Sequence, residues 1–555
     1  MKHIIKRIGR VKRTSSVLVL SFCLILLTSA GSRNFEITRN LDIFANLFRE
    51  LVVNYIEDIN VSEVMKTGID EMLSSLDPYT VFISEAEIED VRFITTGQYG
   101  GIGARIQPRG DFIMITDPYE GFPAHKAGLI PGDLILEING QTTKSRREDE
   151  VRTLLQGQPG TTIDLLIERD GERFTRSLQR EVIRIPNIPY KGMLDETTAY
   201  IKLTGFTQRA GREVRDAIKE LGNNHNIEAL VLDLRGNGGG LLHEAVNVTN
   251  LFVDRNKLVV NTKGRLEDRT STHRTLNEPF DAEIPLVVLV DRVSASASEI
   301  VAGALQDYDR GVIIGQRTFG KGLVQNVVPL SYNTQLKITI AEYFIPSGRG
   351  IQAINYAERR PDGSVYKIPD SLKVAFTTAN GRVVYDGGGI DPDIEVHRHE
   401  RGAITRALIS DFLIFDYAGN YVKRHGSIPE PREFHITDPI YDDFKSFIAG
   451  KGFSYETQSE QLLNQLRDVA EQEQYFQAME MEIKKLSEII SEEKARDLVA
   501  FRPEIEQLLR EEIVSRYYSR SGRVQVSLDD DPDVEKALAI LADRDTYDRL
   551  LAGGE

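Results

Sequence analysis

The sequence predicts a multidomain α/β chain: an N-terminal helical module, a small β-rich domain, an α/β core and a helical C-terminal extension. Three observations predict it. The texture of the chain changes three times. Apolar residues at helical spacing occupy 31–96, short strands and turns 97–183, alternating strands and helices 184–398, and charged helical stretches 399–555. A length of 555 residues exceeds what one hydrophobic core organises. The composition, 41% hydrophobic and 27% charged with no long low-complexity tract, is that of an ordinary globular protein. A formal net charge of -16 denies the chain the basic face that a phosphate backbone requires, so nucleic acid is not an expected partner.

The first thirty residues do not belong to the fold. Lys2, Lys6, Arg7, Arg10, Lys12 and Arg13 make a cationic start, Val17 to Leu27 an apolar run, and Thr28-Ser29-Ala30 a stretch of small residues. This is the layout of a secretory signal and predicts an exported protein of the periplasm or cell envelope. The run is shorter than the roughly 20 apolar residues of a membrane span. Removal of the signal and its retention as an inner-membrane anchor both stay open. The single cysteine, Cys23, lies inside this run behind a bulky Phe22, so the mature chain is expected to hold neither a disulfide nor a thiol nucleophile. The nine histidines are scattered, and His243-Glu244 lacks the second histidine of a zinc helix. No metal and no cofactor are expected.

From 31 to 96 the apolar sets Ile43, Leu47, Leu51 and Ile69, Met72, Leu73 repeat at helical spacing until Leu76-Asp77-Pro78-Tyr79 breaks the pattern. The next segment carries Gly97, Gly100, Gly101 and Gly103, then Phe112-Ile113-Met114-Ile115, Pro131-Gly132-Asp133 and Ile135-Leu136-Glu137-Ile138-Asn139-Gly140. A helical stretch around Glu148–Leu155 follows, then a strand over Thr162–Arg169 and an Asp170-Gly171 hairpin turn. This run resembles a PDZ domain over most of a module. A PDZ domain takes an extended peptide as an added strand on its sheet edge. The loop Tyr99-Gly100-Gly101-Ile102-Gly103 would bare backbone N–H groups for a terminal carboxylate. By themselves these glycines read as a tight turn; the PDZ pattern behind them makes peptide binding the expectation.

Within 184–398, three segments could do chemistry. An apolar strand ending at Val290 runs into Ser294-Ala295-Ser296-Ala297-Ser298, after which Glu299 opens a helix. A serine at a strand-to-helix turn meets spare N–H groups and positive potential, although serines there also serve as helix caps. Lys321 stands between glycines in Thr318-Phe319-Gly320-Lys321-Gly322. To act as a base it must be neutral, which costs about 4–5 kcal/mol relative to its ordinary pKa and needs a desolvated site. Gln325 lies four residues on, on the same face if the segment is an extended strand. Gly315 to Lys321 also approaches a P-loop, but glycine at 322 replaces the magnesium-binding hydroxyl and Pro329 spoils a following helix. The third segment, Asp233-Leu234-Arg235-Gly236-Asn237-Gly238-Gly239-Gly240, puts glycines after a strand, where backbone N–H groups can form an oxyanion hole. It looks like the Gly-Asn-Ser-Gly-Gly of trypsin-like proteases but holds Gly238 at the serine position.

Together these segments resemble the carboxyl-terminal processing peptidases, also called tail-specific proteases. Tyr343-Phe344-Ile345-Pro346-Ser347-Gly348-Arg349, Gly389-Ile390-Asp391-Pro392-Asp393 and the order of the domains are similar to that family too, over roughly 40–398. One departure is Gly238, where the family often has proline; it removes no catalytic group. The resemblance implies a PDZ domain inserted ahead of an α/β peptidase core and a serine endopeptidase working through an acyl-enzyme. It implies Ser296 as nucleophile, Lys321 as general base, Gln325 as its positioner, and backbone oxyanion donors at Ala297 with Gly239 or Gly240. Substrates would be unfolded or tailed proteins whose C-termini the PDZ domain holds. The rival is a PDZ-bearing scaffold with an inactive core, against which the joint presence of serine, lysine and glutamine argues. Beyond 400, Met479, Ile483, Leu486 and Ile490, and Ile505, Leu508, Leu509 and Ile513, form apolar stripes that suit packing on a neighbouring helix. A homodimer or adaptor contact through these helices is the alternative.

Overall fold

The computed structural model describes residues 34–88, 92, 95–360, 365–397 and 400–553. The signal expected over 1–30, with Cys23, lies outside them. The chain divides between Phe82 and Ile83 into two compact units. In the first, a helix over 34–54 precedes Val61–Ser74, whose N-terminal N–H at Glu63 is capped by the Asn60 side chain. At the expected break, Asp77 gathers the N–H groups of Tyr79 and Thr80 and the Thr80 hydroxyl. Among the described residues no helix is long and apolar enough to cross a membrane.

The second unit opens with the PDZ-like domain. Gln98–Gly101 pairs antiparallel with Glu181–Arg184 and ties its two ends together. Between them a sheet runs in the order Ala104–Arg109, Phe112–Pro118, Leu134–Ile138, Thr162–Arg169, Glu172–Gln179. Its last two strands are joined by Asp170-Gly171, both at positive φ, as a two-residue hairpin demands. The strand Ala104–Arg109 is left at the sheet's edge, and Val151 and Leu155 of the helix Glu148–Leu155 seal the core over it.

The core begins with β1 (Tyr190–Met193) and β2 (Thr198–Lys202), an antiparallel hairpin. It continues through α1 (Ala210–Asn224), β3 (Ala229–Asp233), α2 (Leu242–Thr249), β4 (Leu286–Val290), α3 (Ala297–Asp307) and β5 (Val312–Gly315). A second sheet contributes β6 (Leu323–Pro329), antiparallel to β7 (Gln335–Phe344), and β8 (Ile394–Glu395) closes the first. The main sheet has the order β1-β2-β3-β4-β5-β8, in which β2, β3, β4, β5 and β8 are parallel. A parallel sheet is covered on both faces, which is why Ala229–Asp233 and Leu286–Val290 are apolar almost without alternation. Leu230, Leu232, Leu286, Val288 and Ile313 face α1, α2 and α3.

The opposite face is covered from the far end of the chain. After a helical domain containing α4 (Leu413–Arg424) and α5 (Arg502–Ser527), the helices α6 (Pro532–Ala542) and α7 (Arg544–Ala552) return to the main sheet. Val534, Ala537, Ile540 and Tyr547 pack on Tyr200, Val231, Val287, Leu289, Val312 and Ile314. At about 1.5–3 kcal/mol per buried side chain, covering those six is worth roughly 9–18 kcal/mol, comparable with the whole stability of a domain. These two helices of the C-terminal extension thus supply a layer over one face of the core sheet. Of the two apolar stripes beyond 400, Ile505, Leu509 and Ile513 are buried in the helical domain, while Leu486 stays half exposed on the hairpin of Gln458–Gln472 with Phe476–Lys494.

Candidate active site

The carboxyl ends of β3, β4 and β5 lie side by side, and each runs into one of the three segments singled out in the sequence. In parallel α/β sheets this edge is where ligands bind. The loop after β3 and the serine turn after β4 are sewn together. The Ala295 N–H and the Ser298 hydroxyl both donate to the Asn237 carbonyl, at 3.0 and 2.9 Å, and the Ser294 hydroxyl donates to Leu234 O. Ser294 and Ser298 are thus buried and spent on structure. Ser296 is partly exposed and caps α3 at φ 56°, ψ −112°. That backbone region is costly for a residue with a Cβ and marks a strained strand-to-helix turn that aims the side chain outward.

The loop after β5 is held by a residue that the sequence reading passed over. Glu299, fully buried on the first turn of α3, accepts four hydrogen bonds. They come from Ser296 N–H at 2.7 Å, the Thr318 hydroxyl at 2.6 Å, Gly320 N–H at 2.7 Å and Lys321 N–H at 2.9 Å. Ser296 and Lys321 share the same oxygen, Oε2, so their backbone nitrogens are less than about 6 Å apart. Burial pushes the Glu299 carboxyl up from its ordinary value, and the four donors pull against that rise. Its signal in the sequence was a glutamate three residues after a capping serine, which reads as a helix cap. Tyr343, on β7, adds a second tie: its hydroxyl lies within hydrogen-bond reach of the carbonyls of both Ser296 and Lys321, which share its one proton.

Gly239 is pressed against the serine turn. A Cβ there would lie 2.7 Å from Ala295 O, 2.8 Å from Ser296 Cβ and 2.9 Å from Ala297 N, and its φ of +100° suits glycine alone. The Gly239 N–H donates to Asn237 Oδ1 at 2.9 Å. The N–H groups of Gly240 and Ala297 meet no acceptor among the described residues. Gln325 sits on β6, where its amide donates to Thr339 Oγ1 at 3.2 Å beside a register shift between Val324 and Gln325. Lys321 precedes the strand, so regular alternation does not link the two side chains. A strand, rather than a helix, follows Gly315-x4-Gly320-Lys321, which excludes a P-loop. Among the described residues no cluster of acids and histidines could hold a metal.

The PDZ-like domain carries a groove of about 200 Å³ between its edge strand and the helix Glu148–Leu155. Tyr99, Ile102, Ile106, Tyr119 and Leu155 line it, with Arg105 and Arg152 at the rim. Ile102 and Gly103 turn their carbonyls inward to the N–H groups of Ala124 and Tyr119, and their own N–H groups meet no acceptor among the described residues. Gly100 and Gly101 are strand residues facing Val182 and Glu181.

Comparison with known proteins agrees with this architecture. Residues 197–365 match "Peptidase family S41", 114–169 match "PDZ domain", and 404–541 match "Probable PDZ-protease, C-terminal helical domain". A "Carboxy-terminal-processing protease" of Bartonella bacilliformis is 33% identical over 342 residues, 60% of this chain and 78% of the relative. A "Probable CtpA-like serine protease" of Staphylococcus aureus is 33% identical over 347 residues, 62% of this chain and 69% of the relative. Among solved structures, a photosystem II D1 C-terminal processing protease is 28% identical, with a TM-score of 0.35, covering 63% of this chain and 85% of that one. Serine turn, glycine loop, PDZ domain and relatives together make this chain a serine-type peptidase of family S41, the carboxy-terminal-processing proteases.

Proposed function

We propose that the protein is an exported endopeptidase that holds protein C-termini in its PDZ groove and cleaves unfolded or tailed chains by a Ser–Lys mechanism. The observation that carries this reading is the shared Glu299 oxygen, which fixes the backbones of Ser296 and Lys321 against each other at the open edge of the sheet. Neutral Lys321, positioned by Gln325, takes the Ser296 hydroxyl proton as Oγ bonds to the scissile carbonyl carbon. The N–H groups of Ala297 and Gly240 receive the resulting oxyanion; Gly239 shapes the loop with its own N–H committed to Asn237. As the carbon–nitrogen bond breaks, Lys321 returns the proton to the leaving amine. Water then releases the acyl group from Ser296.

At the other end of the substrate, the inward-turned Ile102 and Gly103 leave N–H groups suited to a terminal carboxylate, and the edge strand Ala104–Arg109 offers a ladder for the preceding residues. The test uses the chain lacking residues 1–30, with Ser296→Ala and Lys321→Ala variants, on an unfolded protein ending in apolar residues. Both variants should be folded and lose cleavage by at least about a thousandfold. Cleavage by either variant at the rate of the parent chain refutes the mechanism.

A further inference from the structure

The glycine loop beside Ser296 is anchored from the opposite side of the sheet by residues almost three hundred positions away. Arg235, the second residue after β3, is buried with its guanidinium amid three carboxylates. Nε and Nη2 donate to Asp233 at 2.6–3.0 Å; Nη1 donates to Asp531 at 2.8 Å and to Asp533 at 2.8 Å. Asp233 is wholly buried and also meets Lys202 Nζ at 3.0 Å and the Tyr200 hydroxyl at 2.6 Å. Asp531 caps α6, its side chain accepting from the N–H groups of Asp533 and Val534. The charges are held as charges. Burial works against ionisation of both Asp233 and Arg235, yet Asp233 is pulled well below the carboxylate range by Arg235 and Lys202, and Arg235 is pushed well above its ordinary value by Asp233 and Asp531.

An arginine side chain used in this way fixes its own backbone. Arg235 stands one residue before Gly236, whose N–H donates to Asp291, and two before Asn237, whose carbonyl receives Ala295 and Ser298. Hydrophobic helices would cover this face of the sheet equally well without two buried carboxylates, and such groups are weak contributors to stability. They do supply geometry: Arg235 is a planar fork whose donors are oriented by carboxylates from two separate parts of the chain.

We infer that Asp531 and Asp533 are positioning residues for the peptidase reaction, acting through Arg235 to set the Gly236–Gly240 loop against the serine turn, so that the C-terminal segment completes the active site. This rests on Ser296 being the nucleophile. The test compares the chain lacking residues 1–30 with its Asp531→Asn/Asp533→Asn form, in which the amide at 531 keeps an oxygen for the α6 cap. Phosphonylation of Ser296 by a fluorophosphonate probe, in which Oγ bonds to phosphorus as fluoride leaves, is followed by intact mass, and kcat and KM are measured on an unfolded protein with an apolar C-terminus. The expected result is a tenfold or greater fall in labelling rate and kcat per folded molecule, with KM and peptide binding to the PDZ groove unchanged. Arg235→Lys, which keeps the charge and loses the fork, should share the defect. If the double variant does not fold, Asp531→Asn alone carries the test with an expected threefold loss. Labelling at the parental rate per folded molecule overturns the inference while leaving the nucleophile in place. Failure of the parent chain to label at Ser296 overturns both.

Discussion

Glu299→Gln is the sharpest probe of how the active site is held. Each carboxylate oxygen receives two donors: Oε1 takes the Thr318 hydroxyl and Gly320 N–H, Oε2 takes Ser296 N–H and Lys321 N–H. A glutamine has one acceptor oxygen and one amino group. If the oxygen stays at the Oε1 position, the amino group confronts two N–H donors, those of Ser296 and Lys321. In the other orientation it confronts Gly320 N–H, while the Thr318 hydroxyl can rotate to accept. One or two buried N–H groups thus lose their acceptor, at about 1–3 kcal/mol each. The expected loss of stability is about 2–5 kcal/mol, a drop of several degrees or more in thermal midpoint. The turn and the Gly-Lys-Gly loop should also separate, so kcat should fall by about a hundredfold with KM little changed. The assay is the rate of phosphonylation of Ser296 by a fluorophosphonate probe, beside thermal unfolding. A Glu299→Gln enzyme that is phosphonylated and melts as the parent does would refute the claim that this carboxylate couples the two segments.

Two further outcomes follow from the same geometry. Gly239→Ala forces a Cβ to within 2.7–2.9 Å of Ala295 O, Ser296 Cβ and Ala297 N at a φ of +100°, so kcat should fall at least tenfold while peptide binding to the isolated groove side is retained, as calorimetry would show. Glu511 on α5 is raised from 4.5 to about 7, chiefly by burial, with Glu512 and Asp531 adding to the rise and Arg523 and Arg401 opposing it. A carboxyl raised on folding stabilises the fold below its unfolded pKa, and that contribution is lost as pH climbs from about 4.5 towards 7. Glu511→Gln should flatten the pH dependence of stability over this window and add stability at pH 8, on the order of 3 kcal/mol at most, read as a higher thermal midpoint. An unchanged pH profile would show that Glu511 titrates normally.

Much of this architecture was legible because it is written in local periodicity. The near-continuous apolar strands Ala229–Asp233 and Leu286–Val290 announce a parallel sheet, and Asp170-Gly171 announces a hairpin. The chemical segments were legible as strand ends followed by small residues. Less could be read where one residue type serves two purposes. Glu299 satisfies the pattern of a helix cap, and nothing local says that it also reaches Thr318, Gly320 and Lys321. The left-handed backbone at Ser296 is hidden because serine, unlike glycine, does not advertise positive φ. The face that Lys321 and Gln325 would share in an extended strand is not kept, because the strand starts at Leu323 and its register shifts between Val324 and Gln325. The ion pairs of Arg235 with Asp531 and Asp533 span 296 and 298 residues. An amphipathic helix declares that it has a partner face and not which face that is.

The return of α6 and α7 to the main sheet also orders events in time. Tyr200, Val231, Val287, Leu289, Val312 and Ile314 are covered by the helices α6 and α7, so a chain emerging from its amino end carries a bare apolar sheet face until those helices have been made. Closing contacts over some three hundred residues is slow for entropic reasons, and the exposed face is a surface for holding factors in the interval. A chain cut short before residue 532 would leave this face of the sheet uncovered.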